Sequence, residues 1–195
     1  MSDEQAGGET FLLGRRNQII LLLALALILN ILFNYVVSND ASINETLKVG
    51  DPFPPFEASG RGGVSLTGSS FAGKPLLYFF FANWCPCSHE SIGWVKRAEE
   101  EYRDRGLSVV GVGIQDQPER LEQFVRLHTL AFPVITSEAG EDIAKSAGVQ
   151  VTPTTIFVDG GGIVRFIHVG KIETWGQMTG GLDTIFGAPS AGEGA

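Results

Sequence analysis

The chain has 195 residues, of which 44% are hydrophobic and 18% are charged, as expected for one folded domain with extensions. Its formal net charge is −8, and its isoelectric point is about 4.8. An acidic chain of this kind lacks the basic surface that binding to nucleic acid requires. We therefore exclude nucleic acid as a partner and look for function in the folded domain.

The first recognisable element is an apolar segment near the N-terminus. Residues 19–37 are almost all apolar and are interrupted only by Asn30 and Asn34. A helix of this length spans about 28 Å, close to the hydrocarbon thickness of a bilayer. The apolar part of a cleaved signal peptide is shorter, about 7–15 residues, and ends in a small-residue cleavage site. We therefore expect residues 15–38 to form an uncleaved transmembrane signal anchor.

The basic residues around this segment predict its orientation. Arg15 and Arg16 precede the apolar residues, and the next positive charge after them is Lys48. The positive-inside rule then predicts a cytoplasmic tail at residues 1–14, a single membrane pass, and a periplasmic or extracellular domain. Thiols in such a compartment can form disulfides, whereas the cytosol keeps thiols reduced.

The remaining sequence predicts a linker, one α/β domain and a tail. We assign residues 39–48 to the linker, 49–186 to the domain and 187–195 to a disordered tail of small and polar residues. The expected strands are 64–67, 76–81, 107–114, 155–159 and 163–169, and the expected helices are 88–105, 119–130, 141–147 and 172–186. Strands that alternate with helices and end in a hairpin predict a central mixed β-sheet flanked by helices.

The two cysteines of the chain, Cys85 and Cys87, carry the chemistry. A disulfide across one residue would close a tiny loop and stabilise little, so the pair serves reactivity or metal binding. Cys85 falls between a predicted strand and a predicted helix, where unpaired N–H groups and the helix dipole stabilise a thiolate. Pro86 suits the first helical turn, and Trp84 shields one side of the thiol. These features predict a nucleophilic Cys85 with a lowered pKa.

Six segments of the domain together resemble a known superfamily. They are Val-Gly-Asp-Pro at 49–52, Gly-Lys-Pro at 73–75, Phe-Ala-Asn-Trp-Cys-Pro at 81–86, the run at 106–112, Phe-Pro-Val at 132–134 and Gly-Val-Gln-Val-Thr-Pro-Thr-Thr at 148–155. In order and spacing they resemble the thioredoxin-like superfamily, in particular membrane-tethered thiol–disulfide oxidoreductases of the TlpA/ResA type and the related AhpC/TSA redoxins. The resemblance implies a thioredoxin-like fold with Pro153 as a cis-proline beside the active site. It also implies that Thr152 and Thr154 flank the segment that contacts the substrate. We assign Trp84, Pro86, Thr152 and Pro153 as the candidate substrate-binding residues.

The cysteine motif departs from the usual Trp-Cys-x-x-Cys of these proteins. Here it reads Trp84-Cys85-Pro86-Cys87-Ser88, so that without a gap Ser88 takes the place of the second cysteine. In a helix that begins at Cys85, residues three apart share a face, so Ser88 is expected to face Cys85 and Cys87 to point away. We assign Cys85, Cys87 and Ser88 as the candidate catalytic residues.

The leading hypothesis is a membrane-anchored thiol–disulfide oxidoreductase that acts on exported protein thiols. Cys85 forms a mixed disulfide, which either Cys87 or a second thiol resolves. The expected partners are exported proteins with thiols or disulfides and a separate redox partner. No cofactor is expected.

Two alternatives remain open. One is a thiol peroxidase of the AhpC/TSA type, although Ala82 stands where the resemblance calls for Thr or Ser three residues before the peroxidatic cysteine. The other is a Cu(I)-binding redoxin without enzymatic activity, because Cys85, Cys87 and His89 form a C-x-C-x-H pattern and thiolates favour Cu(I). The segment before Pro153 holds no histidine, so the leading hypothesis assigns no metal ligands.

Overall fold

The computed structural model describes residues 6–40, 46–60, 63–135 and 138–186. The predicted tail at 187–195 and residues 41–45, half of the predicted linker, lie outside the described residues. The chain divides into two units, Met1–Asn44 and Glu45–Ala195, and each is described by itself.

In its described residues, 6–40, the N-terminal unit is one long helix, α1 (Ala6–Asp40). Its segment Asn17–Asn34 has a mean hydropathy of 2.1 and is long and apolar enough to cross a membrane. The side-chain amide of Asn34 donates to the backbone carbonyl oxygen of Asn30 at 2.9 Å and to the side-chain oxygen of Asn30 at 3.0 Å. These two polar residues therefore satisfy each other within the helix, which lowers the cost of placing them in an apolar segment.

The second unit is built around a sheet that has five strands in the described part of the chain. They are β3 (Leu76–Phe81), β4 (Ser108–Gly113), β5 (Val134–Ile135), β6 (Thr154–Val158) and β7 (Val164–Val169), and their order in the sheet is β5-β4-β3-β6-β7. β3, β4 and β5 run parallel, whereas β6 and β7 pair antiparallel to their neighbours. A small antiparallel pair, β1 (Glu57–Ser59) and β2 (Ser65–Thr67), lies outside this sheet. The predicted mixed sheet is confirmed.

Every side chain of the central strand β3 is buried, because helices and the β1–β2 pair cover the two faces of the sheet. The helices are α2 (Pro86–Tyr102), α3 (Pro118–His128), α4 (Glu138–Ser146) and α5 (Trp175–Phe186). Leu77, Phe79 and Phe81 pack into a core with residues of α2, α3 and α5. Tyr78 and Phe80 pack on the other face with α4, β1 and β2. A strand covered on both sides explains the unbroken apolar run.

The predicted elements are present, with shifted ends and two omissions. The helix expected at 88–105 begins at Pro86, whose missing N–H costs nothing in the first turn, and ends before a 3₁₀ turn at Arg103–Arg105. The helix expected at 172–186 begins at Trp175, because the Thr174 hydroxyl accepts the N–H of Gln177 at 3.3 Å. The strands β1 and β5 were not predicted, and the two residues of β5 are too few to show an alternating pattern.

Candidate active site

Cys85 lies at the junction between the central strand and α2. β3 ends at Phe81, α2 begins at Pro86, and Cys85 is the N-cap residue with an extended backbone (φ −89°, ψ 110°). The backbone N–H of Ser88 donates to the Cys85 carbonyl oxygen at 3.0 Å and closes the first turn. Only 6% of Cys85 is exposed. The thiol is therefore held at the positive end of the helix dipole, as the sequence predicts.

The surroundings of Cys85 lower the pKa of its thiol. Burial acts in the opposite direction, because it disfavours the charged thiolate. Hydrogen bonds from the backbone N–H of Ser88, the Ser88 hydroxyl, the Thr152 side chain and the backbone N–H of Cys87 favour the thiolate, and together they outweigh burial. A larger fraction of Cys85 is therefore present as the nucleophilic thiolate near neutral pH.

Ser88 and Cys87 occupy different environments, although they are neighbours. Ser88 is fully buried, and its hydroxyl lies against both the Cys85 thiol and the backbone N–H of Ala82, the latter at 3.4 Å. The Cys87 side chain is half-buried, and its backbone carbonyl accepts the Ser91 hydroxyl at 2.8 Å. Both cysteines are free thiols. The structure thus brings Ser88 to Cys85 as expected, but through N-cap geometry, because the helix begins at Pro86 and not at Cys85.

The loop that precedes β6 forms one wall of the site. The peptide bond between Thr152 and Pro153 is cis, which agrees with the expectation for Pro153. The Cys85 thiol donates to the Thr152 carbonyl oxygen at 3.4 Å. The Pro153 carbonyl oxygen accepts the N–H of Gly170 at 2.8 Å, which ties this loop to the end of β7.

The opposite wall is formed by Trp84 and the loop after β4. Trp84 is 51% exposed, and its indole N–H donates to the Gln115 carbonyl oxygen at 2.7 Å. The backbone N–H of Asn83 donates to the Asp116 carboxylate at 2.9 Å. Sequence reasoning missed Gln115 and Asp116. Both residues directly follow the strand predicted at 107–114. Because neighbouring parallel strands end at the same edge of a sheet, this position alone could have placed them near Cys85.

Two histidines meet beside the segment that leads to Cys85. A carbonyl oxygen only accepts, so the Nε2–H of His89 donates to the Asn83 carbonyl oxygen at 2.7 Å. The Nδ1 atom of His89 lies 2.8 Å from Nε2 of His128. Burial, then the neighbouring His89, then Lys96 lower the pKa of His128. Both ring nitrogens of His89 are therefore engaged away from the thiols.

No group of three or more His, Cys, Asp or Glu side chains among the described residues is placed to hold a metal ion. The C-x-C-x-H pattern of the sequence therefore does not assemble into a ligand set in this structure.

The chain is similar to known thiol oxidoreductases. The family model described as Redoxin matches residues 48–183. The thiol:disulfide interchange protein DsbE of Tatumella citrea is 33% identical over 148 residues, which cover 70% of this chain and 75% of that protein. The thiol-disulfide oxidoreductase ResA of Oceanobacillus iheyensis is 30% identical over 179 residues, 87% of each chain.

A solved structure matches the fold at lower identity. It is a thiol:disulfide interchange protein of the thioredoxin family from Chlorobium tepidum, with a TM-score of 0.63 and 20% identity over 72% of this chain and 99% of that chain. This likeness confirms the thioredoxin-like fold that the sequence motifs imply.

Proposed function

The chain belongs to the Redoxin family and is a thiol–disulfide oxidoreductase, and we propose that it acts on exported proteins through the Cys85 thiolate. One observation carries the proposal: Cys85 caps α2 and is hydrogen-bonded so that its thiol pKa is lowered. A thiolate at a helix N-terminus is the nucleophile that disulfide exchange requires.

The proposed first step is an attack by the Cys85 thiolate on one sulfur of a substrate disulfide. A new bond forms between the Cys85 sulfur and that sulfur, and the old disulfide breaks. The second substrate sulfur departs as a thiolate and takes a proton from solvent. The product is a mixed disulfide between the enzyme and its substrate, and no net oxidation has occurred.

The second step needs a free thiol that can reach the mixed disulfide. The Ser88 hydroxyl cannot form a disulfide, so Ser88 holds the Cys85 thiolate and does not resolve the intermediate. Cys87 resolves it if the first turn of α2 opens, and otherwise a thiol of the redox partner does so. If Cys87 attacks the mixed disulfide only slowly, the mixed disulfide lasts longer. A thiol of the redox partner then has more time to reach it.

The substrate contacts are proposed from exposure and from position around the thiol. Trp84 and Pro86 are exposed on either side of Cys85 in the chain. The Thr152 carbonyl oxygen accepts a hydrogen bond from the Cys85 thiol, and Pro153, the next residue of that loop, is buried. A substrate that reaches the Cys85 sulfur therefore meets Trp84 and Pro86 on one side and Thr152 on the other.

The proposal also assigns the location of the domain. The apolar segment Asn17–Asn34 is long enough to span a membrane, and Arg15 and Arg16 precede it. With these arginines in the cytoplasm, residues 15–38 act as a signal anchor and the Cys85 domain lies outside the cytoplasm. Disulfides persist in that compartment.

The chemistry is tested with the full chain in detergent and a polypeptide that carries one disulfide. Wild type and Cys87→Ser are expected to form a mixed disulfide that mass spectrometry detects, and Cys85→Ser is expected to form none. The matched pair of variants removes one sulfur each. Adducts on Cys87 in the Cys85→Ser variant at the wild-type rate would show that Cys85 is not the nucleophile.

The location is tested in intact cells with a maleimide that does not cross membranes. The expected result is that Cys87 is labelled without lysis, because it lies in the exported domain with a half-buried thiol. Labelling that appears only after lysis would reverse the orientation.

A further inference from the structure

Gln115 connects three parts of the site through three hydrogen bonds. Its backbone N–H donates to the carboxylate of Glu141 on α4. Its carbonyl oxygen accepts the indole N–H of Trp84 at 2.7 Å. Its side-chain amide donates to the carbonyl oxygen of Gln150 at 3.4 Å, two residues before Thr152. One residue therefore joins α4, the Trp84 wall and the loop that holds Pro153.

The backbone of Gln115 adopts a conformation that side chains disfavour. Its φ of 54° lies in the left-handed region, which residues other than glycine occupy rarely. In this conformation the N–H is directed to Glu141 and the carbonyl oxygen to Trp84. A carboxylate on a backbone N–H is a strong, charge-assisted hydrogen bond. Glu141 is therefore well suited to hold this uncommon conformation.

We propose that Glu141 is a positioning residue, which acts through Gln115 to fix the Trp84 ring beside Cys85 and so strengthens the binding of polypeptide substrates. The inference rests on the proposed function in one respect, namely that Trp84 contacts the substrate. A half-exposed indole has two rotatable bonds, and its N–H bond to Gln115 holds it in one orientation. Binding a substrate then does not have to order the ring, which lowers the entropic cost of association.

The role differs from an electrostatic effect on the thiol. Asp142 carries the same charge, is exposed, and follows Glu141 on the same helix, but its side chain forms no hydrogen bond within the described part of the chain. Asp142→Ala is therefore a matched control that removes one negative charge from α4 and leaves the bond to Gln115 intact. Glu141→Gln removes the same charge but keeps an oxygen that accepts the Gln115 N–H.

The main measurement is steady-state exchange by the full chain in detergent with a disulfide-containing polypeptide. Glu141→Ala is expected to raise KM by roughly two- to tenfold, the equivalent of one hydrogen bond, with kcat within about twofold. Glu141→Gln is expected to restore most of the affinity, and Asp142→Ala to match wild type. Equal effects of Glu141→Ala and Asp142→Ala, or a loss confined to kcat, would overturn the inference.

A double-mutant cycle tests whether Glu141 acts through Trp84. Trp84→Phe keeps the ring but removes the indole N–H that Gln115 accepts. If the two residues act as one unit, adding Glu141→Ala to Trp84→Phe raises KM by no more than about twofold further. Effects that multiply would mean that Glu141 acts by another route. A Trp84→Phe variant with unchanged KM would overturn the inference, because it lacks the bond to Gln115, whereas a Trp84→Ala variant with unchanged KM would instead refute the proposed substrate contact.

An NMR measurement keeps the inference testable if Glu141→Ala is poorly folded. The indole N–H resonance of Trp84, assigned by its loss in Trp84→Phe, is expected to shift and to exchange faster in Glu141→Gln than in Asp142→Ala. The amide oxygen of Gln is a weaker acceptor than a carboxylate, so a partial change is expected. An indole resonance identical in both variants would overturn the link between Glu141 and Trp84.

Discussion

Cys85 and Cys87 are two residues apart, and their surroundings differ in nearly every respect. Cys85 is the buried N-cap of α2, and the Ser88 hydroxyl and N–H lie against its sulfur. Cys87 lies inside the first turn with a half-buried thiol. The difference follows from the helix boundary, because Cys85 is the extended N-cap residue, next to the first N–H groups of α2, whereas Cys87 lies within the first turn. Sequence distance between two thiols is therefore a poor guide to whether they react with each other.

The largest expected effect comes from exchanging the two residues that follow Pro86. In the double variant Cys87→Ser/Ser88→Cys, the composition is unchanged but the second sulfur takes the place of the hydroxyl beside Cys85. A disulfide needs its Cβ atoms about 3.5–4.5 Å apart, which residues three apart in a first turn approach more closely than residues two apart. We expect the variant to form an internal disulfide at least tenfold more stable against glutathione than wild type.

The measurement is the fraction of internally oxidised chain across glutathione buffers, read by mass after alkylation. Each tenfold change corresponds to about 30 mV for this two-electron couple. An internal bridge in wild type that is as stable as the bridge in the exchanged variant would remove the main difference between Cys87 and Ser88.

The second-largest expected effect is a difference between Cys85 and Cys87 in how their reactivity depends on pH. Because the pKa of Cys85 is lowered, its thiolate persists as pH falls through the range in which an ordinary cysteine becomes protonated. Cys85 is therefore expected to react with iodoacetamide several-fold faster than Cys87 at pH 6.5. The advantage should shrink above about pH 9, where an ordinary thiol is also ionised. Peptide mapping after timed alkylation measures both rates, and faster labelling of Cys87 at pH 6.5 would contradict the assignment.

Removing the Ser88 hydroxyl should reduce the difference in alkylation rate between Cys85 and Cys87 without abolishing it. Ser88→Ala takes away one of the hydrogen bonds that lower the Cys85 pKa and leaves the N–H of Ser88 in place. The Cys85 pKa is expected to rise, and alkylation of Cys85 at pH 6.5 to slow by roughly two- to tenfold, the range of one hydrogen bond. The Cys87 rate in the same sample serves as the internal control. A change of equal size at both cysteines would mean a general loosening of the helix.

The smallest effect concerns the histidine pair, which supports the Cys85 side of the site through Asn83. The pKa of His128 is lowered in the folded protein, so the unfolded chain binds a proton more readily below about pH 6.5. Stability is therefore expected to fall as pH drops from about 6.5 toward the folded-state pKa, and to level off below it. His89 and Lys96, which face His128, add to this penalty.

The check is urea unfolding of the full chain in detergent between pH 7.5 and 5 for wild type and His128→Gln. The free energy of unfolding of His128→Gln should fall less between pH 7.5 and 5 than that of wild type, because glutamine binds no proton at this position. A decline of the same size in both chains would assign the pH dependence to other groups.

Much of the fold and the centre of the site could be predicted, because they depend on local patterns. The apolar run of β3 was predicted with its ends at Leu76 and Phe81, since a strand buried on both faces needs apolar residues throughout. Cys85 before Pro86 signalled a helix N-terminus, and the structure places Cys85 at the N-cap. The cis bond before Pro153 came from the family resemblance and not from the residues alone.

The sequence by itself determined the order of the elements, the apolar N-terminal segment and the place of Cys85 at the start of α2, because periodicity and capping act between near neighbours. The tertiary structure decided the contacts of Gln115 with Trp84 and Glu141, and the meeting of His89 with His128. These partners are 26 to 39 residues apart in the chain. Apart from Trp84, these residues are polar and at least partly exposed, so no hydrophobic pattern marks them. The sheet, with α2 and α3 on one face and α4 on the other, brings them to their partners.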